Sequence, residues 1–485
     1  MADASKHAWT DATQLEARLD AEFYQPHFLD AERKLARVPT QRFQNLWRDS
    51  NRIYIGIAGF PEKTEERAYT PYIRPTDVGT NGEIDWNRIA WCHAEWLDDY
   101  SDNGCAKAGD LLVEVKGNTR RVAIVDSDVP ANCIVSGSFW RLTLTDSVNP
   151  RFVLAYLLSD TGQLLKRRWV SNSVISWIDP HSFRRFQIPV PDRRIQDYIG
   201  AKVELAERCR AVASREREEL GTELATFYEG CPHDTLSSSL TTMVAPAEIN
   251  GSRLDAWYHQ RRFITLTEWL RRNPAFVELG KVASLSSGRW SPGAHGQSTF
   301  RYIEISDVDS STGHVSHSEV PVENAPSRAR KLLRGFDVLV STVRPNRGVV
   351  GLVPDSLDGA VATTGFAVVR AASKTDAFFL LAVLRHPAST AQLMRCNTGS
   401  AYPAIEESVL PQISIPGAKP ATRKNLGARE LRRTTLLQTA VDLVAQAKTD
   451  VEALIEGTLD VHAILAGKLK PPTADDILEL AEDDA

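Results

Sequence analysis

The stretch PDRRIQDYIGAKVELAERCRAVASREREELGTELATFYEG, residues 191–230, decides how the chain is built. It follows Phe186-Gln187-Ile188-Pro189-Val190, an alternating run that reads as a strand, and it opens on Pro191 and the capping residue Asp192. No proline recurs before Pro232, and Gly230 supplies a stop, so one long helix is expected. Its apolar residues keep to one stripe: Ile199, Val203, Ala206, Ala213, Leu220, Leu224 and Phe227. The same pattern occurs again. Gln412-Ile413-Ser414-Ile415-Pro416 repeats the strand and its proline, and the segment after it carries Leu437, Ala440, Val444, Ala447, Val451 and Leu454 at steps of three and four. Both helices stop alike, at Glu229-Gly230 and Glu456-Gly457, and their seams predict pairing as an antiparallel coiled coil.

Working outward, the repetition extends to the whole chain. A helical stretch from about Asp11 to Arg37 contains Arg18-Leu19-Asp20-Ala21-Glu22-Phe23-Tyr24, which returns as Arg253-Leu254-Asp255-Ala256-Trp257-Tyr258. Tyr72-Ile73-Arg74-Pro75-Thr76-Asp77-Val78 returns as Tyr302-Ile303-Glu304-Ile305-Ser306-Asp307-Val308. Gly109-Asp110-Leu111-Leu112-Val113 is answered by Asp337-Val338-Leu339-Val340, and the apolar helix from Phe152 to Leu158 by Phe378 to Leu384. Landmarks in one order at similar offsets mean a tandem duplication. The fold class expected is α/β (α+β): two tandem mixed globules, each followed by a long helix. The expected segments are 1–190 and 246–416 for the globules, 191–230 and 417–458 for the helices, 231–245 for a linker and 459–485 for an acidic tail. A helix of about 34 residues is about 50 Å long, so such a body is suited to gripping two short DNA sequences a fixed distance apart.

Composition narrows the function. With 485 residues, 42% hydrophobic and 25% charged, the chain is that of a globular protein with room for several cores. Its apolar run Ala377 to Leu384 is far shorter than the roughly 18 residues that span a bilayer. Six cysteines without a CxxC pair fit a reduced, cytoplasmic protein and argue against structural zinc. The net charge of −5 is located rather than general. The tail after Lys470 holds six acidic residues and no basic one; removing those six from the 62 acidic residues leaves 56 against 57 basic ones. DNA affinity must then come from local patches.

Present twice, the Arg-Leu-Asp-Ala-x-aromatic opening, the Tyr-Ile-x-x-(Ser/Thr)-Asp-Val strand, the Asp-x-Leu-Val strand with its preceding Gly109 or Gly335 and the Ile-Pro entry into a long helix resemble the specificity subunit of type I restriction-modification enzymes, over about Gln14 to Leu459. The resemblance implies a non-catalytic subunit in which each globule is a target-recognition domain for one half of a bipartite double-stranded DNA site. It implies a helical spacer that docks two methyltransferase subunits, with S-adenosylmethionine bound on those partners and not here, and restriction subunits in a full complex. The same architecture in another methylation-associated defence system is the alternative within that class.

DNA readers need cations for phosphates and polar side chains at loop tips for base edges. In the first copy the candidates are Lys116, Asn118, Arg120 and Arg121 after the Gly-Asp strand, then Lys166, Arg167, Arg168 and Asn172. In the second they are Arg344, Asn346 and Arg347, then Arg395, Asn397 and Tyr402. Positions match while chemistry differs, as two readers of different half-sites require. A catalytic alternative is a Mg²⁺-dependent nuclease using Asp110, Glu114 and Lys116. The second copy speaks against it, because Asp337 persists while Ser341 and Val343 replace the Glu-x-Lys. Asn273-Pro274-Ala275-Phe276 resembles a methyltransferase signature, yet reads better as a turn after a helix. No Walker loop, nucleophile elbow or His-Glu-x-x-His is present.

Overall fold

The computed structural model describes residues 15, 18–51, 68–86, 88–97, 105–127, 129–171, 175–232, 241, 243–246, 249, 253–293, 296, 298–398, 402–473 and 475. Asn172, residues 233–240 of the expected linker and the tail residues Ile477, Leu478 and Leu480 lie outside them. The fold is mixed α/β and divides into two compact units, one of Met1–Arg210 with Gln438–Leu478, the other containing Ala211–Leu437. Each division point falls within a long helix.

The first unit contains strands β1 (Thr40–Arg42), β2 (Trp47–Asn51), β3 (Tyr69–Ile73), β4 (Ala90–His93), β5 (Leu111–Glu114), β6 (Val122–Ile124), β7 (Ile134–Val135), β8 (Phe139–Leu144), β9 (Val170–Ser171), β10 (Trp177–Ile178) and β11 (Gln187–Pro189). Its helices are α1 (Pro26–Leu35), α2 (Pro150–Leu158), α3 (Asp160–Arg168), α4 (Pro180–Phe183) and the start of α5 (Arg193–Phe227). A four-stranded sheet in the order β2-β8-β5-β6 faces a three-stranded sheet, β4-β3-β7, and β1 pairs with β11 as a separate ribbon. Leu112, Ala123 and Phe139 pack with Ile73 and Val135 between the sheets. Because side chains alternate along a strand, Leu111 and Val113 face the other way, where α2 is buried from Phe152 to Leu158.

The expected helical stretch, of which residues 11–14, 16 and 17 lie outside the described residues, is interrupted among the rest. A 3-10 turn, Ala21–Tyr24, is capped by Asp20, and the α-helix begins only at Pro26. Proline has no N–H to give and keeps the residue before it extended, so the helix cannot run through Gln25.

The second unit repeats this plan with β12 (Phe276–Glu278), β13 (Ala283–Leu285), β14 (Thr299–Ile303), β15 (Ser318–Pro321), β16 (Ala329–Leu332), β17 (Val338–Ser341), β18 (Val350–Leu352), β19 (Val361–Thr363), β20 (Phe366–Ala371) and β21 (Ser414–Pro416). Its helices are α6 (Arg261–Arg272), α7 (Lys374–Leu384), α8 (Pro387–Arg395) and the start of α9 (Pro420–Glu456), which α10 (Val461–Leu465) follows in the first unit. Asn273 caps α6 and the chain turns there into β12, so the Asn-Pro-Ala-Phe stretch is a helix-ending turn. The sheets again run β13-β20-β17-β18 and β15-β14-β19-β16, with the ribbon β12-β21. Register repeats residue for residue: Leu111 opposes Leu142 and Val113 opposes Trp140, as Val338 opposes Val369 and Val340 opposes Ala367. The common offset is 227. Leu339 joins the core between the sheets, while Val338 and Val340 join the one beneath α7.

In the second unit Leu220 and Leu224 of α5 and Leu426 and Leu431 of α9 join the core beneath α7. Glu216 accepts from Arg429 (3.0 Å) and Arg432 (3.2 Å), and Glu223 from Asn425 (3.1 Å). As numbers rise on α5 they fall on α9, so the paired segments run antiparallel. In the first unit Ile199, Val203 and Ala206 are buried, as are Ala440, Val444, Ala447 and Val451, and Lys202 Nζ lies 2.5 Å from Asp450. Leu436, rather than the expected Leu437, takes the fully buried place on α9. Arg210 approaches a carboxylate, Glu83, at 4.0 Å. Gly230 and Gly457 both adopt positive φ just past their helices (+71° and +78°), where an L side chain is disfavoured. No helix among the described residues is long and apolar enough to cross a membrane.

Candidate nucleic-acid interface

The two basic stretches of each globule come together at one place. In the first, the β5–β6 loop and the segment entering β10 pair edge to edge: Ile178 N–H donates to the Val115 carbonyl (2.8 Å), Gly117 N–H donates to Ser176 (3.0 Å), and Lys116 bridges Trp177. In the second, Ile405 N–H donates to Thr342 (2.9 Å), Arg344 N–H donates to Pro403 (2.7 Å), and Val343 bridges Ala404. Every one of these partners differs by 227. A loop left open for binding still needs its backbone groups satisfied, and this strand-like seam does that while the loop tips stay outside.

What the seam presents is exposed. In the first globule Asn118, Arg120 and Arg167 stand in solvent, with Lys116 and Arg121 half-buried. In the second Asn346, Arg347 and Tyr402 are exposed and Arg344 is half-buried, its guanidinium 4.8 Å from the centre of the Tyr402 ring. Two further residues belong to this surface, Ile175 and Trp177, which are exposed despite their size. Aligning the second basic stretches by charge sets Arg395 beside Lys166. The strand register instead sets it beside Arg168 and makes Ile175 the counterpart of Tyr402. A constant offset carried forward from β5 and β17 is the signal that finds Ile175.

Four candidates are corrected by the structure, because they face inward. Arg168 is buried: its Nε donates to the Phe23 carbonyl (2.7 Å), it pairs with Glu32 (2.8 Å), and it lies 3.9 Å over the Phe23 ring. Arg395, half-buried, is engaged in the same way, donating to the Tyr258 carbonyl (3.3 Å) and to Thr267 (2.5 Å) over the Tyr258 ring. Asn397 is buried and accepts the Ala404 N–H (2.9 Å). Lys166 is buried under the first globule's loop, its Nζ 3.4 Å from the Arg121 carbonyl, and desolvation lowers its pKa to about 7. These side chains brace the loops from behind.

The opening motif completes that brace. Arg18 donates to the Arg168 and Val170 carbonyls at 3.4 and 3.2 Å, and Arg253 to those of Cys396 and Asn397 at 3.3 and 2.9 Å. Asp20 and Asp255 hold the two arginines at 2.8 and 2.7 Å, and the arginines in turn keep both carboxyls below their usual range. The repeated Arg-x-Asp thus closes the end of α3 and of α8.

The proposed nuclease carboxylates are committed elsewhere. Asp110 is buried and receives Arg141 (2.8 Å), the Thr143 hydroxyl (2.6 Å) and the Lys107 N–H (2.9 Å). Asp337 does the same work with Arg370 and the Arg334 N–H. Glu114 is buried and accepts the Arg121 N–H (2.9 Å), which closes the β5–β6 loop. Among the described residues no three His, Cys, Asp or Glu side chains cluster as a metal site.

No protein-family model matches the chain, and no curated protein matches it. Among solved structures, it is similar to the S subunit of a type I restriction-modification system from M. genitalium, at 12% identity and a TM-score of 0.42, over 87% of this chain and 96% of that one. It is also similar to the HsdS subunit from Thermoanaerobacter tengcongensis, at 17% identity and a TM-score of 0.29, over 87% and 97% of the two chains. A third similarity is to a structure describing complex assembly and conformational transition of the type I R-M system, at 16% identity and a TM-score of 0.29, over 87% and 99%. At these identities and TM-scores the likeness assigns no role to any residue.

Proposed function

We propose that this chain is a non-catalytic DNA-specificity subunit. Each globule reads one half of a bipartite target, and the long helices set the spacing and position adenine methyltransferase subunits, which carry S-adenosylmethionine. The observation that supports this reading is the pair of seams at one offset, 227, with unlike side chains on top: Asn118, Arg120, Arg167, Ile175 and Trp177 in one, Arg344, Asn346, Arg347 and Tyr402 in the other. A shared grip with different tips is what two half-sites of different sequence demand, since base edges are read by tip chemistry and phosphates by charge. Recognition domains 1–190 and 246–416, with the helices between and after them, are the units of this proposal. In a full restriction complex, translocating nuclease subunits join.

The test is a long-read methylation map of host DNA with and without this gene, in cells that keep the neighbouring methyltransferase. The expected result is methyl-adenine at a split motif that disappears with the gene. Replacing residues 22–190 by those of a chain with another target should then change one half of the motif and leave the other. A map that is unchanged on deletion, with the methyltransferase expressed, sinks the proposal.

A further inference from the structure

Four described non-glycine residues have positive φ: Thr119, Asn132, Phe336 and Arg344. For three of them the surroundings account for it. Phe336 packs its ring against Phe378 at the edge of the core, the Thr119 hydroxyl donates to the carbonyl of Asn118, and Asn132 is of a residue type that tolerates this backbone region. Arg344 is different. It sits at φ 51° and ψ 55° at the head of a 3-10 turn, Pro345–Arg347, and among the described residues no hydrogen bond or ion pair holds its guanidinium. Its counterpart is Gly117, at φ +101°, the residue that suits such a backbone. An arginine therefore occupies a glycine place, in a conformation arginine disfavours, with its side chain directed to no interior partner among those residues. Strain of this kind persists where function uses it.

The ring beneath it says what that use is. Tyr402 is 68% exposed and lies under the Arg344 guanidinium at 4.8 Å. Stacking on an aromatic face holds the planar fork in one orientation and leaves its N–H edge free. A phosphate contact needs charge but no fixed plane. The major-groove edge of guanine, with O6 and N7 side by side, needs both. We infer that Arg344, its guanidinium held over the Tyr402 ring, reads a guanine in the half-site of the second globule, and that the first globule, with Gly117 and Ile175 in those places, makes no such contact. Asn346 and Arg347, exposed on the same turn, are placed to hold the flanking backbone.

This inference rests on the proposed DNA-reading role, and one experiment separates the two. The full-length chain selects from a pool of randomised duplex DNA, and the enriched sequences are compared for the wild type, Arg344→Gly and Tyr402→Leu. Arg344→Gly installs the residue the first copy carries there, so the fold is kept, which an unchanged or raised thermal midpoint verifies. The wild type should show a G·C pair in one half-site at which Arg344→Gly loses about 10- to 100-fold of discrimination, with every other position kept. Tyr402→Leu should lose part of it at the same position. If Arg344→Gly keeps the full consensus, or weakens binding equally for every sequence, the guanine contact is wrong while the specificity role stands. If the wild type enriches nothing, both fail.

Discussion

Lys166 is a charge buried beneath the first globule's loop, beside the Arg121 carbonyl and near Glu114, and its counterpart at the shared offset, Leu393, is a buried apolar side chain. Burial lowers the lysine's pKa from 10.5 to about 7. Between those values the unfolded chain holds a proton that the folded chain has released, so stability rises with pH across that window, and the full cost of burying the charge is present below about pH 7. Lys166→Met should raise the urea midpoint at pH 6, and the difference from wild type should close as the pH approaches 10. The Asp110–Arg141 pair behaves oppositely to this dispensable charge. Both side chains are about 2% exposed or less, so Asp110→Ala leaves the buried Arg141 guanidinium with Asp49, at 2.9 Å, as its remaining carboxylate and should cost about 3 kcal/mol in denaturant unfolding, the low end for breaking a buried pair. Arg370, more exposed, softens the same change at Asp337. A sequence pattern of Asp with Glu-x-Lys cannot tell these roles from metal ligation, because the deciding partners, Arg141 and Thr143, come from another strand.

At the scale of elements, the long helices dock on their globules through small residues and polar caps. A Cβ on Gly427 would come within 2.3 Å of the Thr375 carbonyl oxygen at the start of α7, and one on Gly200 would meet the Asn149 side chain at the start of α2. Gln196 on α5 accepts from the Asn149 N–H (2.9 Å), and Arg423 on α9 reaches Asp376 (3.4 Å), so the same contact is made with different chemistry. Helix propensity alone says that Gly→Ala stabilises by about 1 kcal/mol. Gly221, with nothing within 4 Å, should follow that rule, whereas Gly427→Ala should destabilise by about 1–3 kcal/mol because backbone must move. Chemical denaturation of the two variants gives opposite signs if this is right. The helices, the duplicated strands and the burial of Ala206, Ala213, Ala440 and Ala447 are legible in the sequence, since periodicity depends on local spacing. Which cations reach solvent is not. Arg167 and Arg168 are neighbours of equal charge, and only the turn of α3 against Phe23 and Glu32 sends one outward and the other in.

At the scale of the molecule, the proposed DNA-reading role asks a chain with net charge −5 to meet a polyanion through local basic patches rather than overall charge. Changing Arg120, Arg167 and Arg347 to Ala should flatten the slope of log K against log salt by about 0.9 for each phosphate that these side chains neutralise. Equilibrium titrations at several salt concentrations measure it. An unchanged slope would show that these arginines touch no phosphate.

The division of the chain into units has a consequence for its synthesis. The first unit takes Gln438–Leu478 from beyond the whole of the second, including Asp450 for Lys202 and Glu452 for Thr161 (2.7 Å). At ribosomal rates of about 5–20 residues per second, the segment that completes the first-made globule arrives about 10–45 seconds after the globule itself. Until then Lys202 and Thr161 lack the carboxylates that meet them in the finished chain. A nascent chain halted before Gln438 holds a first unit still missing the segment that completes it, and a chaperone or another copy of the chain can occupy that place.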